Sequence, residues 1–285
     1  DIYTTAIGAA TSRGHVSNSP LHTIQAVLAR YQLGGGDEIR VDTGIYEQSE
    51  PVFISLLHSG NTTNRARITG STNLAAGGSR IQAMVGATNP AFLFFGTHDI
   101  QMSNFRVAGF PSGVSFVENS ARCTVSDADI RDSKGPGVQM SQAQDIRLER
   151  VSSWNGATYG LSASLSKFAL ESCVLWSNQS SALYLGQGVQ IQMTNSILDA
   201  WGVGRYCYES PTNISIQADY NNLLIRNGAQ IALINGLQYE KLPQWVRGTS
   251  QDRRSLSTDP LFHDPANGDF HLRSTEGRYQ IGAGW

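Results

Sequence analysis

Hydrophobic residues recur along the middle of the chain with a period of 22 to 24 residues. Five repeated segments begin at Ala91, Gly113, Gly137, Gly160 and Ala182. Apolar and polar residues alternate within each segment, and this period of two predicts a β-strand. Because one coil of chain cannot bury its apolar side alone, the repetition predicts that successive coils stack with their strands about 4.8 Å apart.

Alignment of the five segments places similar residues in columns. Two apolar columns are predicted to point inward, one containing Ile100, Cys123, Ile146, Phe168 and Ile191 and the other containing Met102, Val125, Leu148, Leu170 and Met193. A third column, where each strand ends, contains Asn104, Asp127, Arg150, Ser172 and Asn195. We expect the chain to turn there, because an Asn side chain can hydrogen-bond a bending backbone. The arginine does not suit an enclosed position, so either the alignment shifts at that point or the turn is open to water.

The N-terminal region predicts a cap for the first coil. Ser19 and Pro20 predict a helix N-cap and the first helical residue. An amphipathic stretch follows, and its apolar side consists of Leu21, Ile24, Val27, Leu28 and Tyr31. Such a helix can cover a strand edge that would otherwise invite aggregation.

The remaining segments predict further coils within a single domain that spans residues 1–285. Strands are predicted in residues 39–47, 68–70 and 80–85, and another coil in residues 213–227. Solenoids grow in one direction without splitting into domains. We therefore assign an N-terminal cap to residues 1–36, the coils to residues 37–235 and an irregular C-terminal cap to residues 236–285.

Composition agrees with many short strands and turns. Charged residues make up 15% of the 285 residues, and 29 residues are glycine. The net charge of −2 provides no basic surface, so nucleic acid is not an expected partner. No apolar run approaches the roughly 20 residues that a membrane-spanning helix needs. The sequence thus predicts an all-β domain without a membrane span.

Cysteines and acidic residues limit the possible cofactors. Cys123 and Cys173 are expected to be small buried hydrophobes, whereas Cys207 is expected to be exposed, which is unusual in a secreted protein but does not exclude secretion. Calcium is the one candidate ion, since Asp127, Asp129 and Asp132 offer oxygens within one turn if the chain bends between the first two. The six histidines show no zinc-ligand spacing, which argues against zinc.

Segments near both ends resemble a known family. Residues 23–47 resemble the opening of bacterial right-handed parallel β-helix proteins of the pectate-lyase-like superfamily, in which a capping helix precedes a Gly-Asp turn and a strand that ends in Gly-x-Tyr. Residues 219–225 and 257–274 resemble the closing segment of the same group. The resemblance covers nearly the whole length and implies a single-stranded right-handed parallel β-helix with an N-terminal capping helix. In that group the last motif runs on into another strand, so the resemblance is also compatible with one module of a longer surface protein.

The resemblance implies function only as a class. Similar proteins include polysaccharide lyases, glycoside hydrolases, epimerases, phage tailspikes and adhesive solenoids without catalytic activity. They share a long groove-bearing flank that suits a polymer, which implies a polysaccharide partner and an extracellular or cell-surface location. The pectate-lyase signatures Trp-Ile-Asp-His and Arg-x-Pro-x-x-Arg are absent, as are the polygalacturonase signatures Asn-Thr-Asp, Asp-Asp, Gly-His-Gly and Arg-Ile-Lys. Both standard active sites are therefore disfavoured.

Candidate catalytic residues come from the outward columns of the middle coils. Glu149 and Glu171 share one such column in neighbouring coils, and two carboxylates at that separation raise one pKa, as an acid and base pair requires. Asp129, Arg131 and Lys134 are candidates for acid, base or charge-stabilising roles. In the alternative interpretation, the glutamates form a solvated pair that neighbouring arginines neutralise.

Candidate substrate-binding residues are mainly aromatic: Trp154, Trp176, Asp199, Trp201, Tyr206 and Tyr208. The first two tryptophans lie in neighbouring coils and would form a stacking platform for a sugar if they point outward, or else they fill a corner. The excursion in residues 199–212 would supply the wall of a sugar site, because binding residues gather on loops held by a rigid scaffold. In the alternative interpretation, Tyr206 and Tyr208 pack onto the solenoid and cover its lower coils.

The sequence therefore predicts an extracellular β-helix that engages a polysaccharide, as a lyase or a hydrolase if it is an enzyme. The rival class is a non-catalytic structural or adhesive module of a larger cell-surface protein. A groove with converging carboxylate, Lys or Arg groups would favour the enzyme, and ladders of Ser, Thr, Gln and Asn without such a cluster would favour the module. The oligomeric state stays open.

Overall fold

The protein folds as a stack of coils around one long apolar core. The computed structural model describes residues 2–4, 8–9 and 11–273, so the predicted end of the C-terminal cap, residues 274–285, lies outside the described residues. Each complete coil contributes strands to three parallel layers, which we name sheet one, sheet two and sheet three. Within the described ranges, no helix has the length and apolar character needed to cross a membrane.

Sheet one takes one strand from each coil, and its neighbours pair in parallel until the last strand, which is antiparallel. Its strands are β4 (Val52–Ser55), β7 (Phe92–Phe95), β10 (Val114–Val117), β12 (Val138–Ser141), β14 (Leu161–Ser164), β17 (Leu183–Leu185), β20 (Tyr206–Ser210), β23 (Gln230–Ile234) and β24 (Leu237–Tyr239).

Sheets two and three are the two arms of one bent sheet. Sheet two contains β1 (Ile2–Thr4), β2 (Glu38–Val41), β5 (Ala66–Thr69), β8 (Ile100–Ser103), the first parts of β11 (Thr124–Arg131) and β13 (Ile146–Trp154), β15 (Lys167–Glu171), β18 (Gln190–Thr194) and β21 (Ser215–Asp219). Sheet three contains β3 (Gly44–Gln48), β6 (Ser79–Ala83), β9 (Phe105–Ala108), the second parts of β11 and β13, β16 (Val174–Trp176), β19 (Ile197–Trp201) and β22 (Asn222–Arg226).

Both predicted apolar columns are confirmed as inward ladders of sheet two. Val125, for example, pairs with Met102 in the coil before it and with Leu148 in the coil after it. Every side chain of the two columns is at most 2% exposed. Stacking therefore buries an apolar side that no single coil could bury.

The bend between sheets two and three depends on one backbone conformation. Asn104, Asp127, Arg150, Ser172 and Asn195 all have φ between 52° and 63°, a left-handed conformation that few residues other than glycine adopt. The predicted turn is thus confirmed without a shift in the alignment. The arginine fits because the turn is open to water, where its guanidinium donates to Asp127 at 2.6 and 2.8 Å and lowers the pKa of that carboxyl.

The N-terminal helix is shorter than predicted. Helix α1 spans Ile24–Leu28, and its N-cap is Thr23, whose side chain accepts a hydrogen bond from the first turn. The predicted N-cap at Ser19 is wrong, because Leu21 still forms a strand-like bridge with Thr4 before the helix begins. The helix nevertheless buries its apolar side against the first coils.

The C-terminal region is more regular than predicted. It contains helix α2 (Leu242–Thr249) and an antiparallel pair formed by β25 (Phe262–Asp264) and β26 (Asp269–Leu272). The prediction of an irregular cap over residues 236–285 is therefore wrong for helix α2 and for the antiparallel pair. The described residues also form short 3-10 turns at Leu56–His58, Leu74–Ala76 and Pro265–Asn267.

Helix α2 closes the last coil through a buried carboxylate. Asp252 is 0% exposed and accepts hydrogen bonds from Trp245 Nε1 at 2.9 Å and from the Tyr208 hydroxyl at 3.0 Å. Asn221 and Ser255 donate to its other oxygen. The cap is thus hydrogen-bonded to the solenoid as well as packed on it.

All three cysteines are buried. This confirms the prediction for Cys123 and Cys173, whose pKa values burial raises to about 12 and about 11. The predicted exposure of Cys207 is wrong, since β20 directs its side chain into the core and burial raises its pKa well above the ordinary value. Thiols in such surroundings are poor nucleophiles.

Two neighbouring phenylalanines test which side of sheet one faces the core. Phe94 is fully buried and stacks on Phe116 with ring centroids 4.6 Å apart, whereas Phe95 is 43% exposed. Phe94→Ala should lower the free energy of unfolding by about 3–5 kcal/mol because it leaves a cavity, and Phe95→Ala should lower it by about 0.5 kcal/mol. Chemical denaturation of both variants measures the difference. Equal losses would contradict the assigned orientation of the strand.

Candidate functional site

The outward side of sheet three carries two open clefts on either side of the C-terminal hairpin, the name used here for residues 262–272. The Asp129 cleft, about 590 Å³, is lined by the turn column, by sheet three and by the hairpin. The Arg226 cleft, about 750 Å³, is lined by the last coils and by the turn of the hairpin. Sheet three is thus the sheet on which most of the predicted site residues meet.

Asp129 is held in its cleft by donors from the next coil. Its Oδ1 accepts hydrogen bonds from Ser152 Oγ at 2.9 Å and from Trp154 Nε1 at 2.6 Å. Arg106 precedes it in the same column but donates to the Gly77 carbonyl at 3.3 Å. None of the described residues donates to Asp129 Oδ2, so this oxygen can accept a hydrogen bond from a ligand.

Arg131 and Lys134 follow Asp129 closely along the chain but do not line its cleft. Arg131 lies 3.8 Å from Asp132 and 5.9 Å from the centroid of the Trp154 ring. Lys134 is exposed in the turn after β11. The two cations are therefore close to Asp129 in sequence, but their side chains do not join it in the cleft.

A clamped arginine is the central feature of the Arg226 cleft. Arg226 donates to Asp199 from Nε at 2.9 Å and from Nη2 at 2.6 Å. Its guanidinium carbon lies 4.7 Å from the ring centroid of Trp176 and 4.4 Å from that of Trp201. The ion pair and the two rings fix the plane of the guanidinium. Its side chain stays 31% exposed, so the remaining N–H groups can meet a ligand.

Asp199 points away from the core as predicted but cannot contact a substrate directly. Its side chain is 1% exposed, and Arg226 engages both of its oxygens. The Ser177 backbone N–H also donates to it at 3.0 Å. Asp199 therefore positions Arg226, which corrects its predicted role as a binding residue.

The predicted platform of two tryptophans is covered. Trp154 and Trp176 are register partners, as expected, but they are only 6% and 8% exposed. Phe262 and Phe270 of the C-terminal hairpin lie against them, with ring centroids 5.0 to 6.3 Å apart. The prediction of an open platform is therefore wrong. The alternative, in which the two tryptophans fill a corner, describes their position.

The excursion after β19 supplies one exposed aromatic residue and two buried ones. Trp201 is 51% exposed and lines the Arg226 cleft. Tyr206 and Tyr208 are 7% and 0% exposed, and the second stacks on Trp245 with centroids 5.2 Å apart. The predicted sugar-binding wall is wrong for both tyrosines, because β20 runs in sheet one and Tyr208 seals the last coil.

A second aromatic and polar group lies across the edge from the Arg226 cleft, on sheet one. Tyr159 and Tyr184 have ring centroids 4.9 Å apart, and Glu209 accepts a hydrogen bond from Ser181 at 2.5 Å. Burial and the charge of Glu209 raise the pKa of Tyr159, which Arg205 opposes. Because Arg205 also lines the Arg226 cleft, it connects the two groups.

Glu149 and Glu171 lie on sheet two, away from both clefts. They are register partners as predicted. Arg147 contacts both of them, with Nε 2.6 Å from Glu149 and Nη2 2.6 Å from Glu171, and the second contact raises the pKa of the arginine. The alternative interpretation, in which arginine neutralises the two glutamates, therefore describes the geometry. The bend at the turn column also separates these glutamates on sheet two from Asp129 on sheet three.

The aspartates considered for calcium are engaged by protein groups. Asp127 binds Arg150, and Asp132 accepts a hydrogen bond from Asn155 at 2.6 Å. In the part of the chain that the structure describes, no three His, Cys, Asp or Glu side chains are grouped to hold a metal ion. Asp127, Asp129 and Asp132 thus do not form the converging set of carboxylates that calcium would need.

Sequence reasoning missed Arg226 and included Arg205 only as part of the excursion in residues 199–212. Arg226 pairs in register with Trp201, one coil beyond the last of the five aligned segments, so one further coil in the alignment identifies it. Arg205 lies in a turn before β20 and belongs to no column. Only the folded chain shows that both line the same cleft.

Comparison with known families agrees with this architecture. A family model described as a right handed beta helix region matches residues 54–228. The chain belongs to this family. The β-helix predicted from the repeats and from the resemblance is thereby confirmed. Curated protein sequences give no significant match.

Solved structures share the fold at low sequence identity. A pectate lyase is 13% identical with a TM-score of 0.50, over 98% of this chain and 87% of its own. An alginate lyase from Paenibacillus sp. strain FPU-7 is 11% identical with a TM-score of 0.56, over 83% of this chain and 97% of its own. The A-module of a mannuronan C-5 epimerase from Azotobacter vinelandii is 12% identical with a TM-score of 0.49 over 70% of this chain, which spans 65% of that module. Similarity at these identities shows the fold alone.

Proposed function

We propose that this β-helix binds a polysaccharide in the Arg226 cleft. The observation that carries the proposal is the guanidinium of Arg226, which Asp199 fixes between the rings of Trp176 and Trp201. An exposed aromatic face packs against the C–H face of a sugar ring, and a fixed guanidinium donates to hydroxyl or carboxylate oxygens. The cleft is open to solvent, which gives a polymer access to it.

Charge favours an acidic polysaccharide. Arg205 and Arg226 both line the cleft, and none of its described lining residues is a carboxylate, since Asp199, which pairs with Arg226, is buried behind it. Arg205 is exposed and has no ion-pair partner among the described residues. Two cations with one buried anion leave a net positive cleft, which attracts carboxylate or sulfate groups on a polymer.

The proposed path of the polymer crosses the edge between sheets three and one. Arg205 lies at this edge, between the Arg226 cleft and the paired rings of Tyr159 and Tyr184. Sugar residues on either side of Arg205 would therefore each meet an aromatic surface. Such a partner implies a location outside the cell or at its surface, and the buried, unreactive thiols are compatible with that location.

Catalysis is the finer part of the proposal. For a lyase or hydrolase, the geometry supports Asp129 best among the predicted catalytic residues, because it lies in a cleft on sheet three and keeps one oxygen without a protein donor. The rival, a non-catalytic binding module, is supported by the arginine partners of Glu149, Glu171 and Asp199. Carboxylates paired in this way already accept hydrogen bonds from arginine, so fewer of their lone pairs are free for a substrate.

Polysaccharide binding by variants of the Arg226 cleft tests whether this cleft is the binding site. Trp201→Ala should weaken the binding of a uronate-containing polymer by about tenfold, because it removes the stacking face. Arg205→Ala should weaken it by roughly threefold and should reduce its salt dependence. Calorimetry with acidic and neutral polysaccharides measures both effects.

Tyr220→Ala is the matched control for these variants. Tyr220 is 50% exposed and lies 4.1 Å from the guanidinium of Arg254, but it belongs to the turn at the other end of sheet three. Its removal should leave the affinity unchanged. The cleft assignment fails if Tyr220→Ala weakens binding as much as Trp201→Ala, or if neither cleft variant weakens it.

Product formation distinguishes the enzyme from the module. The parent protein is incubated with uronic-acid and neutral polysaccharides while the absorbance of unsaturated products and the release of reducing ends are followed. An enzyme with its site on sheet three should lose more than about 100-fold of its rate in Asp129→Asn, whereas Glu149→Gln and Glu171→Gln should stay within about twofold of the parent. Loss of activity in the glutamate variants alone would assign catalysis to sheet two. No product from any polymer would favour the module.

A further inference from the structure

We propose that the C-terminal hairpin is a displaceable strap over a concealed part of the binding site, whose floor is formed by Trp154 and Trp176. The inference rests on the proposed function, because it extends the same polysaccharide site along sheet three. The hairpin would lift when a polymer long enough to pass beyond the Arg226 cleft is bound.

Apolar contacts dock the hairpin on the solenoid. Phe262 lies 5.0 Å from Trp176 between ring centroids, and Phe270 lies 6.0 Å from Trp154. Together with Leu224 these rings form an apolar cluster that is separate from the main core. The hairpin therefore leaves the solenoid core intact when it moves.

Hydrogen bonds of the hairpin stay within it. Asp269 is hydrogen-bonded to His263 Nδ1 at 3.0 Å and to His271 Nδ1 at 2.5 Å, and Asn267 donates to Asp264 at 2.7 Å. Among residues 11–273, no hydrogen bond joins the hairpin to a strand of the three sheets. Helix α2 differs, since buried hydrogen bonds attach it to the last coil. Among the described residues, the hairpin is thus braced by its own hydrogen bonds and docked on the solenoid by apolar packing, chiefly of its two phenylalanine rings.

A short link precedes the hairpin. Thr258 is the last residue anchored to the coils, through hydrogen bonds with the Asn222 side chain at 2.9 and 3.2 Å. Leu261 then has a φ of 54°, which is uncommon for a leucine. Residues that absorb a backbone change at the end of a fixed segment are typical hinges.

The covered tryptophans continue the Arg226 cleft toward the Asp129 cleft. Trp176 already packs on Arg226, and both tryptophans reach the wall of that cleft. Pro265 of the hairpin lines the Arg226 cleft, while Gly268 lines the Asp129 cleft. Lifting the hairpin would expose two rings and join the two clefts into one groove.

Gly268 allows the hairpin to close onto the floor. Its φ is 79°, and a Cβ added there would lie 2.6 Å from the Trp154 ring. Gly268→Ala should therefore push the hairpin away from Trp154. Gly236→Ala is the matched control, because Gly236 has a φ of 78° in another turn and a Cβ there would meet nothing within 4 Å.

The test combines hydrogen exchange with affinity for short and long fragments of one acidic polysaccharide. In the parent, a long fragment should speed exchange at the amides of residues 262–272 and leave helix α2 unchanged, whereas a short fragment should not. Gly268→Ala should bind the long fragment several-fold more tightly than the parent and the short fragment equally. The substitution destabilises the closed hairpin, so binding spends less free energy on opening it. Gly236→Ala should match the parent.

Exchange in the parent decides the outcome even if Gly268→Ala folds poorly. Slower or unchanged exchange of the hairpin with a bound long fragment overturns the strap while leaving the proposed function intact. Equal affinity of Gly268→Ala and the parent for the long fragment also overturns it. A parent that binds neither fragment removes the proposed function, and the strap with it.

Discussion

The left-handed residue that ends each strand of sheet two is the constraint on which the rest of the molecule depends. Six successive coils place a non-glycine residue in this conformation, from Asn104 to Tyr220. Each such residue costs about 1 kcal/mol relative to ordinary backbone, and the parallel pairing of its coil with both neighbours offsets that cost. Because the bend recurs at the same place, the outward residues of sheets two and three fall into columns, and residues more than 20 positions apart become neighbours.

These columns determine which charged groups remain available to a ligand. Arg150 meets Asp127, and Arg147 meets Glu171, so charges on the turn and on sheet two largely cancel between coils. Arg226 is different because its carboxylate partner is buried and its guanidinium lies between two rings, with its outer edge open to water. The same vertical stacking that neutralises charges on the turn and on sheet two thus leaves Arg226 as a preorganised cationic and aromatic position on sheet three.

Periodicity predicted the fold well, because the inward columns and the turn column follow directly from the side-chain period of a strand and the length of one coil. It predicted the site less well. Glu149 and Glu171 are engaged by Arg147 from within the repeats, and the other main failures involve a contact from outside them. Trp154 and Trp176 lie in the expected column but are covered by Phe262 and Phe270, which come from a hairpin far along the chain. Tyr208 changes its role because helix α2 packs over it. A column alignment predicts which way a side chain points from its strand. It carries no information on whether a segment distant in sequence covers that side chain.

The most direct test of the Arg226 cleft as the ligand surface is hydroxyl-radical footprinting with and without an acidic polysaccharide. The account predicts that the polymer slows oxidation of Trp201, whose ring is half exposed in the cleft. Phe95 on sheet one and Tyr220 at the far turn are similarly accessible and should be oxidised at unchanged rates. Unchanged oxidation of Trp201 together with protection of Phe95 or Tyr220 would contradict it.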